Sequence, residues 1–236
     1  LKTWQDYDHR IIKSLDSSIK FFVEWNNAID SLIKSVFVDT IQISDNRIKI
    51  PYKLINELHI NVIIRTFQII TIGKNALWKK HEICEIIDFI SSKKVGKKIK
   101  IKNKWVFVHD RYFILGEKIS LLNDKKSEKI KLEKEIIFND NIYKISLKNK
   151  EELLFRNNGN YEYINWDLIK NKKLILRYWK EGDYFYPLGM NSKQKLSDFL
   201  TNNKLDYFSK LKQTVMSADG EIFWVCGKRI ANWVKI

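Results

Sequence analysis

No glycine-rich turn occurs anywhere in this chain, and its eight glycines stand apart from one another. A run such as G-x-x-x-x-G-K-[ST], G-x-G-x-x-G or S-G-G-x-D-S aims a row of backbone N–H groups at nucleotide phosphates. None is present, which argues against an ATP site in these 236 residues. Histidine is scarce as well: His9, His59, His81 and His109 are the full set, with no H-E-x-x-H pair. His81 and Cys84 share a helix face, but a tetrahedral site needs two further ligands, so no metal is expected. The two cysteines, Cys84 and Cys226, belong to no C-x-x-C pair. Each falls in an apolar pattern, so both are expected as buried thiols in a reducing compartment. No apolar run approaches eighteen residues, so no membrane span is expected. Leu1-Lys-Thr-Trp-Gln-Asp does not read as a secretory signal, and a start at Leu rather than Met fits a fragment.

What the chain does have is positive charge and apolar bulk. It is 44% hydrophobic and 13% aromatic, with a formal net charge of +15. It can build real cores, and the charge suggests a polyanionic partner such as nucleic acid or an anionic membrane surface. Part of the Lys excess, alongside abundant Ile and Asn, is what an AT-rich gene produces. The charge is spread evenly. Residues 1–120 hold 21 Lys and Arg against 13 Asp and Glu, and residues 121–236 hold 22 against 15. Both halves could touch one long polyanion.

The expected fold class is α+β, a helical bundle with a β-hairpin followed by a small mixed α+β domain. Residues 1–37 lack Gly and Pro, and Trp4, Tyr7, Ile11, Leu15, Ile19, Phe22, Trp25, Ile29, Leu32 and Val36 recur at helical steps. Ile41–Ile43 and Ile48–Ile50 flank Asp45-Asn46 as a hairpin. A helix over Leu54–Ile70 should start near Pro51 and stop at Gly73, and another should cover Ala76–Ile90. Ile99, Ile101, Trp105, Phe107, Tyr112 and Ile114 alternate as strands around Asn103-Lys104. Residues 117–135 are polar and charged and read as a linker. The expected division is 1–120 as a helical domain with a terminal hairpin and 121–236 as an α+β domain. In the latter, short strands at Ile136–Phe138, Ile142–Leu147, Leu174–Tyr178 and Glu221–Cys226 flank helices near Ser192–Asn203 and Asp206–Lys212.

Two stretches carry candidate chemistry. Lys93, Lys94, Lys97, Lys98, Lys100, Lys102 and Lys104 form the densest basic run. On a strand, Lys98, Lys100, Lys102 and Lys104 share a face, either a solvated hairpin surface or a ridge that tracks phosphates. The second stretch is Arg177-Tyr-Trp-Lys-Glu-Gly-Asp-Tyr-Phe-Tyr-Pro-Leu-Gly-Met190, followed by Lys195-Leu-Ser-Asp-Phe-Leu200 and Glu221-Ile-Phe-Trp-Val-Cys-Gly-Lys-Arg-Ile230. Gly182, Gly189 and Gly227 should permit tight turns, Asp183 should cap one, and Pro187 should stiffen the chain. Ser197 and Asp198 should cap local backbone. Around them lie the candidate RNA contacts Arg177, Lys180, Lys193, Lys195, Lys204, Lys228 and Arg229, with Tyr178, Trp179, Tyr184 and Tyr186 interleaved. Cations beside aromatics suit RNA, through phosphate contacts and base stacking. Core packing is the other reading of those aromatics.

Leu174–Ile236 resembles the C-terminal domain of the tRNA(Ile)-lysidine synthetase family. The pattern basic-x-x-x-x-G-D-x-F-x-P-L-G-M, then K-L-S-D-F, then E-x-x-W-V-x-G-x-R-I, is met from Arg177 to Ile230. Residues 1–118 resemble, more loosely, the family's helical middle domain. The chain departs at Asn191-Ser192 and Gln194, and at Ala231, Asn232 and Trp233, where an acid and an Arg are common. The resemblance implies a cytoplasmic bacterial enzyme that uses ATP to adenylate the wobble cytidine of an isoleucine tRNA with a CAU anticodon. Lysine is then attached, so that the tRNA reads AUA. It implies that catalysis resides in an N-terminal domain with a pyrophosphate loop, absent here, so no catalytic residue carries over. It also implies that this chain binds no cofactor itself and holds the tRNA, and it leaves a homodimer open. The alternatives are a stand-alone RNA-binding module, or a structural interaction domain that has lost its enzyme domain.

Overall fold

The computed structural model describes residues 9–37, 40–121, 126–149, 151 and 160–236. The expected helical positions Trp4 and Tyr7, and residues 122–125 of the expected linker, lie outside the described residues. The chain divides into two compact units, Leu1–Ile119 and Ser120–Ile236. Both mix helices with antiparallel sheet, so the class is α+β. No helix among the described residues is long and apolar enough to cross a membrane.

The first unit starts with α1 (His9–Phe37). The sheet strands are β1 (Gln42–Ile43), β2 (Arg47–Pro51), β3 (Lys98–Ile101), β4 (Trp105–His109) and β5 (Phe113–Lys118). They pair in the order β1-β2-β5-β4-β3. Both hairpins expected in this half, at residues 41–50 and around Asn103-Lys104, are present, and their union corrects the expected helical bundle. The two hairpins join through β2 and β5, so a five-stranded sheet carries the core, and the helices pack against it. Three helices lie between β2 and β3: α2 (Tyr52–Glu57), α3 (Ile60–Thr71) and α4 (Lys80–Ser92). The single helix expected over 54–70 is broken at Leu58 and His59, both extended. The His59 ring accepts the Asn61 N–H at 3.3 Å and so restarts the helix. Gly73 ends α3 at φ +91, a left-handed turn that suits glycine.

The apolar stripe of α1 is buried only at its end. Ile33 and Phe37 are buried, whereas Ile11, Leu15, Ile19, Phe22 and Trp25 are exposed. Asp30 anchors the buried end. Its carboxylate accepts two Arg65 hydrogen bonds at 2.8 Å, and the guanidinium holds its pKa below the ordinary carboxylate value. Cys84 is exposed, against the expectation of a buried thiol, because α4 turns Ile86, Phe89 and Ile90 inward instead.

Strand β4 is buried along its whole length, and Phe107 is fully buried with its ring over Gly116 across the β4–β5 pair. A Cβ at Gly116 would stand 2.4 Å from that ring. His109 is buried at the end of the strand. Its Nε2–H donates to the Phe89 carbonyl at 2.6 Å, and its Nδ1 accepts from the Tyr52 hydroxyl. Burial lowers the His109 pKa.

The second unit has a five-stranded sheet of β6 (Ser127–Lys129), β9 (Leu174–Tyr178), β12 (Thr214–Ala218), β13 (Glu221–Val225) and β14 (Arg229–Ile230), ordered β14-β13-β12-β9-β6. Two ribbons accompany it: β7 (Ile136–Phe138) with β8 (Asn141–Tyr143), and β10 (Tyr184–Phe185) with β11 (Gln194–Lys195). Helices α5 (Leu196–Asn202) and α6 (Tyr207–Leu211) complete it. Leu176, Phe185, Leu196, Leu200, Val215, Phe223 and Val225 form its core. Cys226 is buried as expected, which pushes its thiol pKa up to about 12.

Two outcomes follow for the first unit. Gly116→Ala should lower its stability by about 1–3 kcal/mol, because a buried ring must move to admit one methyl. Chemical denaturation reads this, and an unchanged midpoint would refute the packing argument. His109 is neutral when folded and accepts protons more readily when unfolded. Stability should therefore be full above about pH 6.5 and fall as pH drops below it. His109→Gln should flatten that fall in a pH series of unfolding curves, and an identical slope in both proteins would refute it.

Candidate nucleic-acid interface

The motif segment is organised by one ion pair. Arg177 leaves β9 and donates two hydrogen bonds to Asp183, at 2.7 and 3.0 Å, and a third to the Tyr178 carbonyl. Both partners are mostly buried, with side chains 18% and 7% exposed. The Asp183 carboxylate also accepts the Lys180 N–H at 2.8 Å, closing a turn in which Gly182 sits at φ +88. Asp183 thus caps a turn as expected. Arg177 was expected to contact RNA. Its guanidinium is committed to Asp183, so a phosphate would have to displace a buried carboxylate.

From that turn the chain enters the β10–β11 ribbon, where Tyr184 pairs with Lys195. The Asp183 carbonyl accepts the Leu196 N–H at 2.9 Å, which ties the turn to the start of α5. Between the ribbon strands, Pro187 bridges Ala231, Leu188 N–H donates to the Ile230 carbonyl, and Asn232 N–H donates to the Tyr186 carbonyl. Gly189, at φ +83, donates to the Asn232 side chain. These bonds lay the Tyr186–Met190 loop along β14. Gly227, at φ +70, turns β13 into β14. Ser197 does not cap the helix backbone. Its hydroxyl lies 3.2 Å from Asp198, which stands in the first turn of α5.

The ribbon and β14 together gather most of the expected cations. Lys180, Lys193, Lys195, Lys228 and Arg229 are all exposed. Lys193 places its ammonium 3.0 Å from the centroid of the Tyr184 ring. Lys204 is exposed beyond the end of α5. The aromatics separate into two groups. Tyr178 and Trp179 pack on the core, and the Trp179 indole N–H bonds the Lys210 carbonyl. Tyr184 and Tyr186 are 47% and 37% exposed, in a loop that also exposes Leu188 and Met190. Exposed rings beside exposed ammonium groups can stack on bases and hold phosphates together.

Within the first unit, Lys98 and Lys100 are exposed on the edge strand β3. Lys102 is not part of that face. It sits with Asn103 in the turn, at φ 49 and 51, and its ammonium pairs with Glu82 at 2.7 Å. The strands turn around Asn103-Lys104 as expected, in a three-residue turn that Lys102 opens. The ridge is therefore two lysines wide.

One feature of the second unit went unseen in the sequence. A cleft of about 720 Å³ is lined by Tyr161, Tyr163, Trp166 and Trp224, with Lys144 and Lys148. Three of its rings lie within Tyr161–Trp166, and the fold brings Trp224 of β13 to meet them.

Among known proteins, the relatives of this chain fall in one class, synthases named for a tRNA product. They are tRNA(Ile)-lysidine synthases, and this chain is their distant relative over part of its length. The enzyme of Parabacteroides distasonis is 35% identical over 79 residues, 34% of this chain and 18% of that protein. That of Clostridium acetobutylicum is 33% identical over 90 residues, 38% of this chain and 19% of the relative. That of Clostridium perfringens is 27% identical over 176 residues, 66% of this chain and 36% of the relative. The matches thus span about a third or less of these relatives' lengths. No family model matches the chain. A crystal structure of a TILS C-terminal domain aligns at 15% identity with a TM-score of 0.32, covering 61% of this chain and 82% of that one. At that score it adds nothing to the relation carried by the sequences.

The ion pair sets the expected outcome here. Asp183→Asn leaves the Arg177 charge mostly buried without its counter-charge, and should lower stability by about 3 kcal/mol. Denaturant titration of the variant measures this, and a loss under about 0.5 kcal/mol would show that the pair is not structural.

Proposed function

We propose that this chain is the tRNA-holding part of a tRNA(Ile)-lysidine synthetase. The observation that carries the proposal is the set of exposed cations and tyrosines on the segment that carries the family's motif. Lys193, Lys195, Lys228 and Arg229 meet the phosphate backbone, while Tyr184 and Tyr186 stack on bases or riboses. Lys180 extends this surface at the turn. Lys98 and Lys100 provide a second point of attachment on the first unit. Arg177 and Asp183 act indirectly, by holding the turn that sets the ribbon.

In this reading, the full enzyme uses ATP and lysine to modify the wobble cytidine of the CAU-anticodon isoleucine tRNA in the bacterial cytoplasm. This chain supplies binding and orientation to that reaction and no reacting group. Alone it neither binds nor consumes ATP, since it lacks a phosphate-cradling loop. Phosphate contacts position the RNA, and they carry no sequence information themselves.

The test is a salt titration of binding to the isoleucine tRNA and to a generic RNA duplex. Wild-type affinity should fall steeply with salt, because each neutralised phosphate releases counterions. Lys193→Ala/Lys195→Ala/Arg229→Ala should weaken binding by about 1 kcal/mol per side chain and flatten the slope by about one unit for each cation removed. Lys98→Ala/Lys100→Ala should act in the same direction, more weakly. A flat salt response would assign the charge to gene composition. Equal affinity for tRNA and duplex would favour a general RNA-binding module.

A further inference from the structure

The amphipathic helix α1 carries an apolar face that its own unit covers at one end only. Ile12, Leu15, Ile19 and Phe22 recur at three- and four-residue steps, in line with Ile29, Ile33 and Phe37 further along. Ile33 and Phe37 are buried in the first unit's core and Ile29 packs partly against it. Upstream, Ile11, Ile12, Leu15, Ile19, Phe21, Phe22, Val23 and Trp25 are each between 48% and 62% exposed. Scattered exposed apolar residues are ordinary, but eight within fifteen residues of one helix form a contiguous patch. At roughly 100 Å² each they approach the about 800 Å² per partner of a stable protein interface.

The charges on this stretch narrow the occupant. The basic Lys13 and Lys20 are balanced by Asp16 and Glu24, and Lys20 already pairs with Asp16 at 2.8 Å. A helix lying on an anionic membrane, or along RNA, needs a basic excess that this segment lacks. A neutral polar face behind an apolar stripe suits a second helix of the same kind. Depletion of charge at the centre of the patch is also the composition of a protein interface.

We propose that residues 11–25 of α1 pair antiparallel with the same residues of a second copy of this chain. The exposed stretch is centred on Ser18, so a two-fold axis there overlaps it completely with itself. Ile11 then lies opposite Trp25, and Leu15 opposite Phe21. Ser18 meets its own copy, and with Ser14 it supplies the small side chains that let two helices approach closely. A parallel pair would bring both core-covered ends, Ile29 to Phe37, to the same level. The antiparallel pair puts them at opposite ends. This surface is separate from the basic surface proposed for RNA, so either assignment can fail without the other.

Sedimentation equilibrium of the whole chain, from about 1 to 100 µM, should show a reversible dimer. Ile19→Asp/Phe22→Asp changes two exposed residues outside the core, and should raise the dissociation constant at least tenfold with an unchanged circular dichroism spectrum. With the exposed Cys84 replaced, Ser18→Cys/Cys84→Ser should form an intermolecular disulfide under mild oxidation. Lys13→Cys/Cys84→Ser, on the polar face, should not. A monomer at every concentration overturns the proposal, whatever else covers the helix. So does a dimer that survives the aspartate pair, or equal cross-linking at positions 13 and 18.

Discussion

Everything proposed for the second unit rests on the Arg177–Asp183 pair. A guanidinium and a carboxylate taken mostly out of water are stable only if their hydrogen bonds are met. Here they are, by two charge-assisted bonds between the pair, one to the Tyr178 carbonyl and one from the Lys180 N–H. That requirement holds the Lys180–Asp183 turn in one geometry. Through the Asp183 carbonyl the same turn meets the start of α5, and through Tyr184 it enters the β10–β11 ribbon. The cations that face outward are positioned by one cation that faces inward.

The first unit depends on a different constraint, the burial of β4 within its sheet. Phe107 fits because Gly116 opposite has no side chain, and His109 fits because Tyr52 and Phe89 satisfy both ring nitrogens. A buried imidazole with both nitrogens bonded resists charging, so packing here is coupled to pH. Among the described residues the exposed half of α1 has no such partner within its unit, and the proposed pairing with a second copy starts from that contrast.

Much of the local structure was legible from residue patterns. The Asp45-Asn46 hairpin, the stop at Gly73, the Lys-rich edge strand and the turns at Gly182, Gly189 and Gly227 each follow from neighbours a few residues apart. Reading failed where the decision lay between distant residues. The break at His59 came from a ring capping the next helix, inside an apolar pattern that ran straight through it. The reach of the Lys ridge changed because Lys102 found Glu82 across the fold. Cys84 fell outside the core although its pattern looked inward. Of the two Tyr-Trp and Tyr-x-Tyr pairs in the motif, nothing local distinguished the core rings, Tyr178 and Trp179, from the exposed Tyr184 and Tyr186.

By itself, the sequence determined the α+β class, the basic character of both halves and the kinship with tRNA(Ile)-lysidine synthases, because composition, periodicity and motif order are properties of the chain. Tertiary structure decided the joining of two hairpins into one sheet, the inward turn of Arg177, and the exposure of half an amphipathic helix. Each of these is a choice among partners far apart in sequence. A charge or an apolar face is written in the chain, but what satisfies it depends on which groups the fold brings within a few ångströms.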